Sequence, residues 1–240
     1  GGDLTVRWCE LRRSYRSGLL ARGTSTVPPI TRLTVESSTL TEHRGLQTDF
    51  ADQPALQIGD SQRVIATVRD CVIRDNGATT GARPGVLLVG NLVSQDVVLE
   101  RNLFLRNREG VKMYGAGEPG ATLRGNLFQT SAGEAVKGQL GGIVRLVFDG
   151  GAPNGYASNG FDGIAIEGGT LNATGTLWND AGAPYRIIAT PEVGAGKGLI
   201  IRPGVTIQMS SGKELDVSGN LYAQGTTDAP IVFTDTETGI

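Results

Sequence analysis

Apolar residues in the first half of the chain come in short alternating pairs rather than at a helical period. Residues 97–114 read VVLERNLFLRNREGVKMY, with apolar beats at Val97/Leu99, Leu103/Phe104 and Val111/Met113. Between them stand Asn102, Asn107 and Gly110, residue types that suit sharp bends and unusual backbone angles. An amphipathic helix needs apolar positions about 3.6 apart, so this spacing predicts strand, bend, strand. Strands this short bury no face alone, and the prediction requires that neighbouring segments repeat the pattern.

They do. LTVRWCEL (4–11), LTVESSTL (33–40), ATVRDCVI (66–73), VVLERNLF (97–104) and ATLRGNLF (121–128) align without a gap, their starts 29, 33, 31 and 24 residues apart. Repetition at such periods is the signature of stacked structural units, with the length variation confined to loops. Val6, Val35, Val68, Leu99 and Leu123 form one apolar column, and Leu11, Leu40, Ile73, Phe104 and Phe128 another. Leu19, Leu56, Val86, Val111, Val136 and Ile164 form a third. Each residue is expected to lie on the next at the inter-strand spacing of about 4.8 Å. Cys9, Ser38, Cys71, Asn102 and Asn126 share a small or amide-bearing inward position, where stacked Asn side chains can satisfy one another. An outward column reads Arg7, Glu36, Arg69, Glu100, Arg124; its alternating sign suits parallel, in-register stacking.

The unit resembles the repeat of pectate-lyase-like right-handed parallel β-helix proteins. Asn102, Asn107 and Gly110-Val-Lys-Met carry the resemblance, Asn126 with Ala135-Val-Lys and Cys71, Asn76 with Gly85-Val-Leu-Leu more partially. It covers residues 1–169. Residues 170–240 change wording to Pro-Tyr-x-Ile, Pro-Gly-Val-Thr-Ile and Ala-Pro-Ile-x-Phe-Thr, which resembles modules of large bacterial cell-surface and secreted β-helix proteins. The resemblance implies an all-β, right-handed parallel β-helix of about nine to eleven coils, forming a single domain over 1–240. It also implies an exported protein, with this chain expected to be a fragment of a longer one and to carry no signal peptide of its own. The fold hosts lyases, hydrolases, epimerases, adhesins and inert stalks, so it does not name an activity.

Composition narrows the classes. Thirty-six glycines in 240 residues suit many tight corners, and a net charge of −2 leaves no basic footprint for nucleic acid. No apolar run reaches membrane-spanning length. Cys9 and Cys71 lie two repeats apart, about 9–10 Å, beyond disulfide reach, and are expected as free buried thiols.

Enzymes of the resembled fold use Lys or Arg, carboxylates and often Ca²⁺ on one outer face, against acidic polysaccharides. Lys112 and Lys137 occupy equivalent outward positions in adjacent repeats, each preceded by three residues by Glu109 and Glu134. Like charges at β spacing need compensation, so the row either binds an anion or is neutralised by its own glutamates. A lysine beside a second cation is also the kind of group that serves as base at an activated C–H. Arg12, Arg13, Arg16 and Arg44 form a basic cluster that could contact sugar acids. The stretch 149–160 is turn chemistry throughout, read as an insertion; its Asp149, Asn154 and Asn159, with Asp162, could supply oxygens to Ca²⁺, though no defined calcium loop is matched. His43 falls at a bend position and reads as structural. Thr5, Thr34, Thr67 and Thr122 align on the outside, interrupted by Val98, the short row an ice-binding face would extend. The expectation is a non-enzymatic stalk, adhesin or glycan-contacting module without a cofactor, partnered by polysaccharide and by further coils or copies at its ends. The rival is a lyase or hydrolase centred on Lys112, Lys137, Glu109 and Glu134.

Overall fold

The computed structural model describes residues 2–12, 18–22, 31–42, 54–59, 64–76, 84–90, 96–115, 119–148, 151–177 and 181–236. The chain is all-β, and all pairings among its strands are parallel. A first sheet takes Asp3–Arg7, Thr31–Glu36, Val64–Arg69, Val97–Glu100, Ala121–Arg124 and Leu146–Val147 in that spatial order. A second takes Glu10–Arg12, Thr39–Thr41, Val72–Arg74, Leu103–Leu105, Leu127–Gln129 and Gly155–Ala157. A third, of nine strands, runs from Leu19–Ala21 through Leu56–Ile58, Pro84–Val89, Glu109–Tyr114, Glu134–Gly138, Phe161–Glu167, Tyr185–Ala189 and Thr206–Met209 to Val232–Asp235. The chain visits these three sheets in turn six times.

Beyond residue 167 the first two sheets are replaced by two others. Thr170–Leu171, Glu192–Val193 and Asp216–Val217 make one; Gly175–Leu177, Gly198–Ile201 and Asn220–Ala223 make the other. The third sheet alone continues. At the change lies a four-residue helix, Leu140–Ile143, buried throughout. Its Leu140 N–H donates to the Gly168 carbonyl at 2.9 Å, tying it to the last round before the switch.

The three apolar columns hold residue for residue. Val6, Val35, Val68, Leu99 and Leu123 are register partners in succession. So are Leu11, Leu40, Ile73, Phe104 and Phe128. The aromatic rings of Phe104 and Phe128 stack with centroids 4.7 Å apart, and Tyr156 continues the stack at 5.5 Å. The third column extends beyond Ile164 to Tyr185, Ile207 and Phe233.

The corners differ from the expectation. Asn102 and Asn107 do not make the bends; the left-handed residues are Arg101 and Arg106, each one place earlier, both at φ 51°. The same holds down both corner columns: Trp8, Ser37, Asp70, Arg101 and Gly125 at one, Glu42, Asp75, Arg106, Thr130 and Ser158 at the other. Ser38, Cys71, Asn76, Asn102, Asn107, Asn126 and Ser131, each the residue after a left-handed one, are buried. Asn126 Oδ1 there accepts from the backbone N–H and Nδ2 of Asn102, both at 3.0 Å, and Asn154 Oδ1 accepts likewise from Asn126. A parallel ladder joins Asn76 to Asn107 at 2.8 Å, and Asn159 occupies its equivalent place against Ser131. Gly110 is no bend either. A Cβ there would lie 2.5 Å from the Phe128 ring and from the Ala135 carbonyl, so the position is glycine because two strands and a ring close on it.

Stretch 149–160 is likewise not a mere insertion: Asn154, the strand Gly155–Ala157 and Asn159 carry the repeat through it. Cys71 is buried, as expected, but Cys9 is exposed, because it belongs to an edge round with no described strand stacked on its far side.

The outward charges interlock. Glu36 lies between Arg7 and Arg69, at 2.6 Å from each. Glu100 lies between Arg69 and Arg124 in register, and its carboxylate turns to Arg124 at 3.4 Å and to the neighbouring Arg101. Arg101 and Arg106 also form bidentate pairs with Asp70 and Asp75 one round away, at 2.7–2.9 Å.

Candidate functional site

On the outer face of the third sheet, Leu87, Lys112, Lys137, Ala165, Arg186 and Gln208 are register partners in succession. The sequence-predicted quartet sits here. The close approach at Gly110 draws the start of its strand against the next round, leaving Glu109 only 2% exposed with no hydrogen-bond partner for its Oε2. Burial pushes the Glu109 carboxyl above the usual carboxylate range; Lys137 and Lys112 pull it back, Glu134 adds to the rise, and Arg108 opposes it. All four predicted residues therefore share one electrostatic neighbourhood. Lys112 is not the solvated side chain expected of an outward position: it is 9% exposed, its ammonium 5.9 Å from the ring centre of exposed Tyr114. Lys137 lies 3.7 Å from Glu134 and 3.8 Å from Glu167.

Glu167 and Arg186 belong to the same face and were missed in the sequence. Their signal was present: Ile164-Ala-Ile-Glu167 and Tyr185-Arg-Ile-Ile188 keep the alternation, and every second residue of such a strand faces outward. Arg186 lies with its guanidinium carbon 3.7 Å from the centre of the Phe161 ring. Its Nε and Nη2 donate to the Gln208 Oε1 at 3.2 and 3.1 Å. Burial lowers its pKa, with the charge of Glu134 working against that.

The other candidates are dispersed. Arg12 is exposed and paired with Glu10 at 2.5 Å, whereas Arg13, Arg16 and Arg44 lie outside the described residues, as do His43 and Asp149. The Asp162 carboxylate accepts from the backbone N–H of Ser158 and Asn159 and from Asn159 Nδ2, at 2.7–3.0 Å, closing a turn. Asn154 and Asn159 are ladder residues. Among the described residues no three of His, Cys, Asp and Glu stand together as a metal would require. No helix among them is long and apolar enough to cross a membrane. Thr5, Thr34, Thr67, Val98 and Thr122 do align, beside the Arg/Glu column.

Chemically, the third-sheet face offers a buried carboxyl held toward its protonated form, two ammonium groups and a guanidinium stacked on an aromatic ring. No protein-family model, no curated protein and no solved structure matches the chain.

Proposed function

We propose that the chain is a right-handed parallel β-helix of the pectate-lyase-like kind. In this reading it is a rigid, non-enzymatic segment of an exported bacterial surface protein, a stalk or adhesin whose outer faces contact glycans. One observation carries the reading: the inward column of the third sheet runs through nine strands without a break, from Leu19 to Phe233. Continuous ladders of this kind resist bending, and loops on the outside vary without disturbing them. At about 4.8 Å per coil, nine coils make a rod about 40 Å long. Further coils or copies stacking on the first and last described rounds belong to the same reading, supported by the exposure of Leu4 (43%) and Phe233 (47%).

The test is a panel of acidic polysaccharides, scored both for binding and for new unsaturated ends absorbing in the near ultraviolet. Binding without turnover is the expected result. Turnover that disappears in Lys137→Ala would replace this reading by the enzymatic one.

That second reading has its own observation in the orphaned, buried Glu109 between two lysines. A carboxyl whose pKa burial raises is of the kind that donates a proton to a leaving oxygen, and adjacent ammonium groups are of the kind that neutralise negative charge on a glycan.

A further inference from the structure

Lys137 is loosely held for an ammonium among carboxylates. Its Nζ lies 3.7 Å from Glu134 and 3.8 Å from Glu167, both beyond hydrogen-bond length, and its side chain is 20% exposed. A third carboxyl is close by and has less. Glu109 is buried, and its Oε2 has no hydrogen-bond partner. A Cβ on Gly133 would lie 3.8 Å from Glu109 Cγ, so this side chain packs where the strand Glu134–Gly138 begins. Lys112, on the Glu109 strand itself, is the register partner of Lys137.

The charges around Glu109 come from one side. The preceding strand, Pro84–Val89, carries no titratable residue. The following strand brings Glu134 and Lys137; the one beyond it brings Glu167, and Asp162, which is tied into its own turn. Burial opposes ionisation of Glu109 most strongly; the charge of Lys137 favours it, then that of Lys112, with Glu134 against and Arg108 assisting. A neutral carboxyl tolerates this place at the cost of an unmade hydrogen bond, whereas a carboxylate buried there requires a cation in contact. Lys112 is 9% exposed and set beside the Tyr114 ring. Lys137 has the long contacts, the more exposed stem and three donors that rotate, so it is the cation placed to move.

We propose that Glu109 and Lys137 form a pH-operated switch on the third-sheet face: while Glu109 is protonated Lys137 stays with Glu134 and Glu167, and once Glu109 ionises Lys137 turns to it and leaves the other two. Before the switch, the ammonium groups of Lys112 and Lys137 balance the carboxylates of Glu134 and Glu167. After it, a third carboxylate has joined them, and Glu134 and Glu167 stand uncovered on the outer face. The switch changes the charge that this face presents as pH rises, whether the chain is a stalk or an enzyme.

The test is a pH titration of the full chain by nuclear magnetic resonance, from about pH 3 to about pH 9, reading the side-chain ¹³Cδ of Glu109, Glu134 and Glu167 and the ¹⁵Nζ of Lys137. The expected result is that Lys137 Nζ and the Cδ of Glu134 and Glu167 all inflect at the pH where Glu109 titrates. In Glu109→Gln, which keeps the shape of the side chain, that shared inflection should vanish while the backbone amide spectrum is unchanged. Lys137→Met separates movement of the ammonium from a field felt through space: Glu109 should then titrate at higher pH, and Glu134 and Glu167 should no longer inflect with it. Three results overturn the proposal. Glu109 titrates without Lys137 Nζ following; the inflection of Glu134 and Glu167 survives in Lys137→Met; or Glu109 keeps its proton to the end of the titration.

Discussion

Removing Asn126 tests the stacking at its most connected point. Its side chain is 1% exposed and serves three other residues. Its Oδ1 accepts from the backbone N–H and Nδ2 of Asn102, and its Nδ2 donates to Leu99 O at 2.8 Å and to Asn154 Oδ1 at 3.0 Å. In Asn126→Ala, Asn102 Nδ2 keeps Val68 O and Asn154 Oδ1 keeps the backbone N–H of residue 126. The Asn102 backbone N–H loses its acceptor and Leu99 O loses this donor. Each stranded buried group costs about 1–3 kcal/mol, so the variant should lose about 2–6 kcal/mol. Urea unfolding followed by circular dichroism measures the loss, read as a fall in midpoint at unchanged slope. Amide exchange localises it, with the Asn102 N–H expected to lose protection first. As a control, Asn220→Ala removes an exposed residue whose Nδ2 contact is 3.5 Å long, and should fall within about 0.5 kcal/mol of wild type. A loss below about 1 kcal/mol in Asn126→Ala, with Asn102 exchange unchanged, would refute the claim that the amide ladder ties the rounds together.

Three other outcomes follow from the same geometry. Glu109 has a raised pKa, so the folded chain holds its proton more tightly than the unfolded chain does; the penalty of ionising it is absent in acid and grows as pH rises from the unfolded value through the folded one. Glu109→Gln should therefore match wild type near pH 4 and melt higher at pH 8, as differential scanning calorimetry would show. Thr130 is a β-branched residue at φ 50°, exposed, so Thr130→Asn should stabilise by about 0.5–1 kcal/mol in urea, because Asn enters the left-handed region at lower cost. Gly110→Ala forces a methyl group to within 2.5 Å of the Phe128 ring and a backbone carbonyl; it should destabilise by about 1–3 kcal/mol, measured in the same way.

Much of the fold was legible because its parts are columns. Val35 above Val68, and Phe104 above Phe128, repeat a residue type at a fixed offset, and a gapless alignment reads that directly. The corners were not legible. Arg101 and Arg106 are not residues that advertise a left-handed conformation; each stands before a buried Asn whose side chain is tied into its ladder, and between strands on either side. Tyr156 was hidden because Gly155-Tyr-Ala carries one apolar beat in a run of turn residues, and only its stacking on Phe128 makes it part of the core. The helix Leu140–Ile143 contains two glycines and is a single turn long, too short for any periodicity. Within the candidate site, Lys112, Lys137, Glu109 and Glu134 were found from their equal spacing. Arg186 was missed because its place on this face rests on three-dimensional neighbours, the Phe161 ring against its guanidinium and the Gln208 amide that accepts from it.

The nine-stranded sheet is the one wall common to both halves of the chain, and this sets what can be exchanged between them. Rounds with the first two sheets and rounds with their replacements meet the same wall at the same strand spacing, and the buried turn at 140–143 stands where the other walls change. Chimaeras cut within the loops that leave that wall should therefore accept rounds from either half. Those cut elsewhere would have to rebuild two mismatched edges at once.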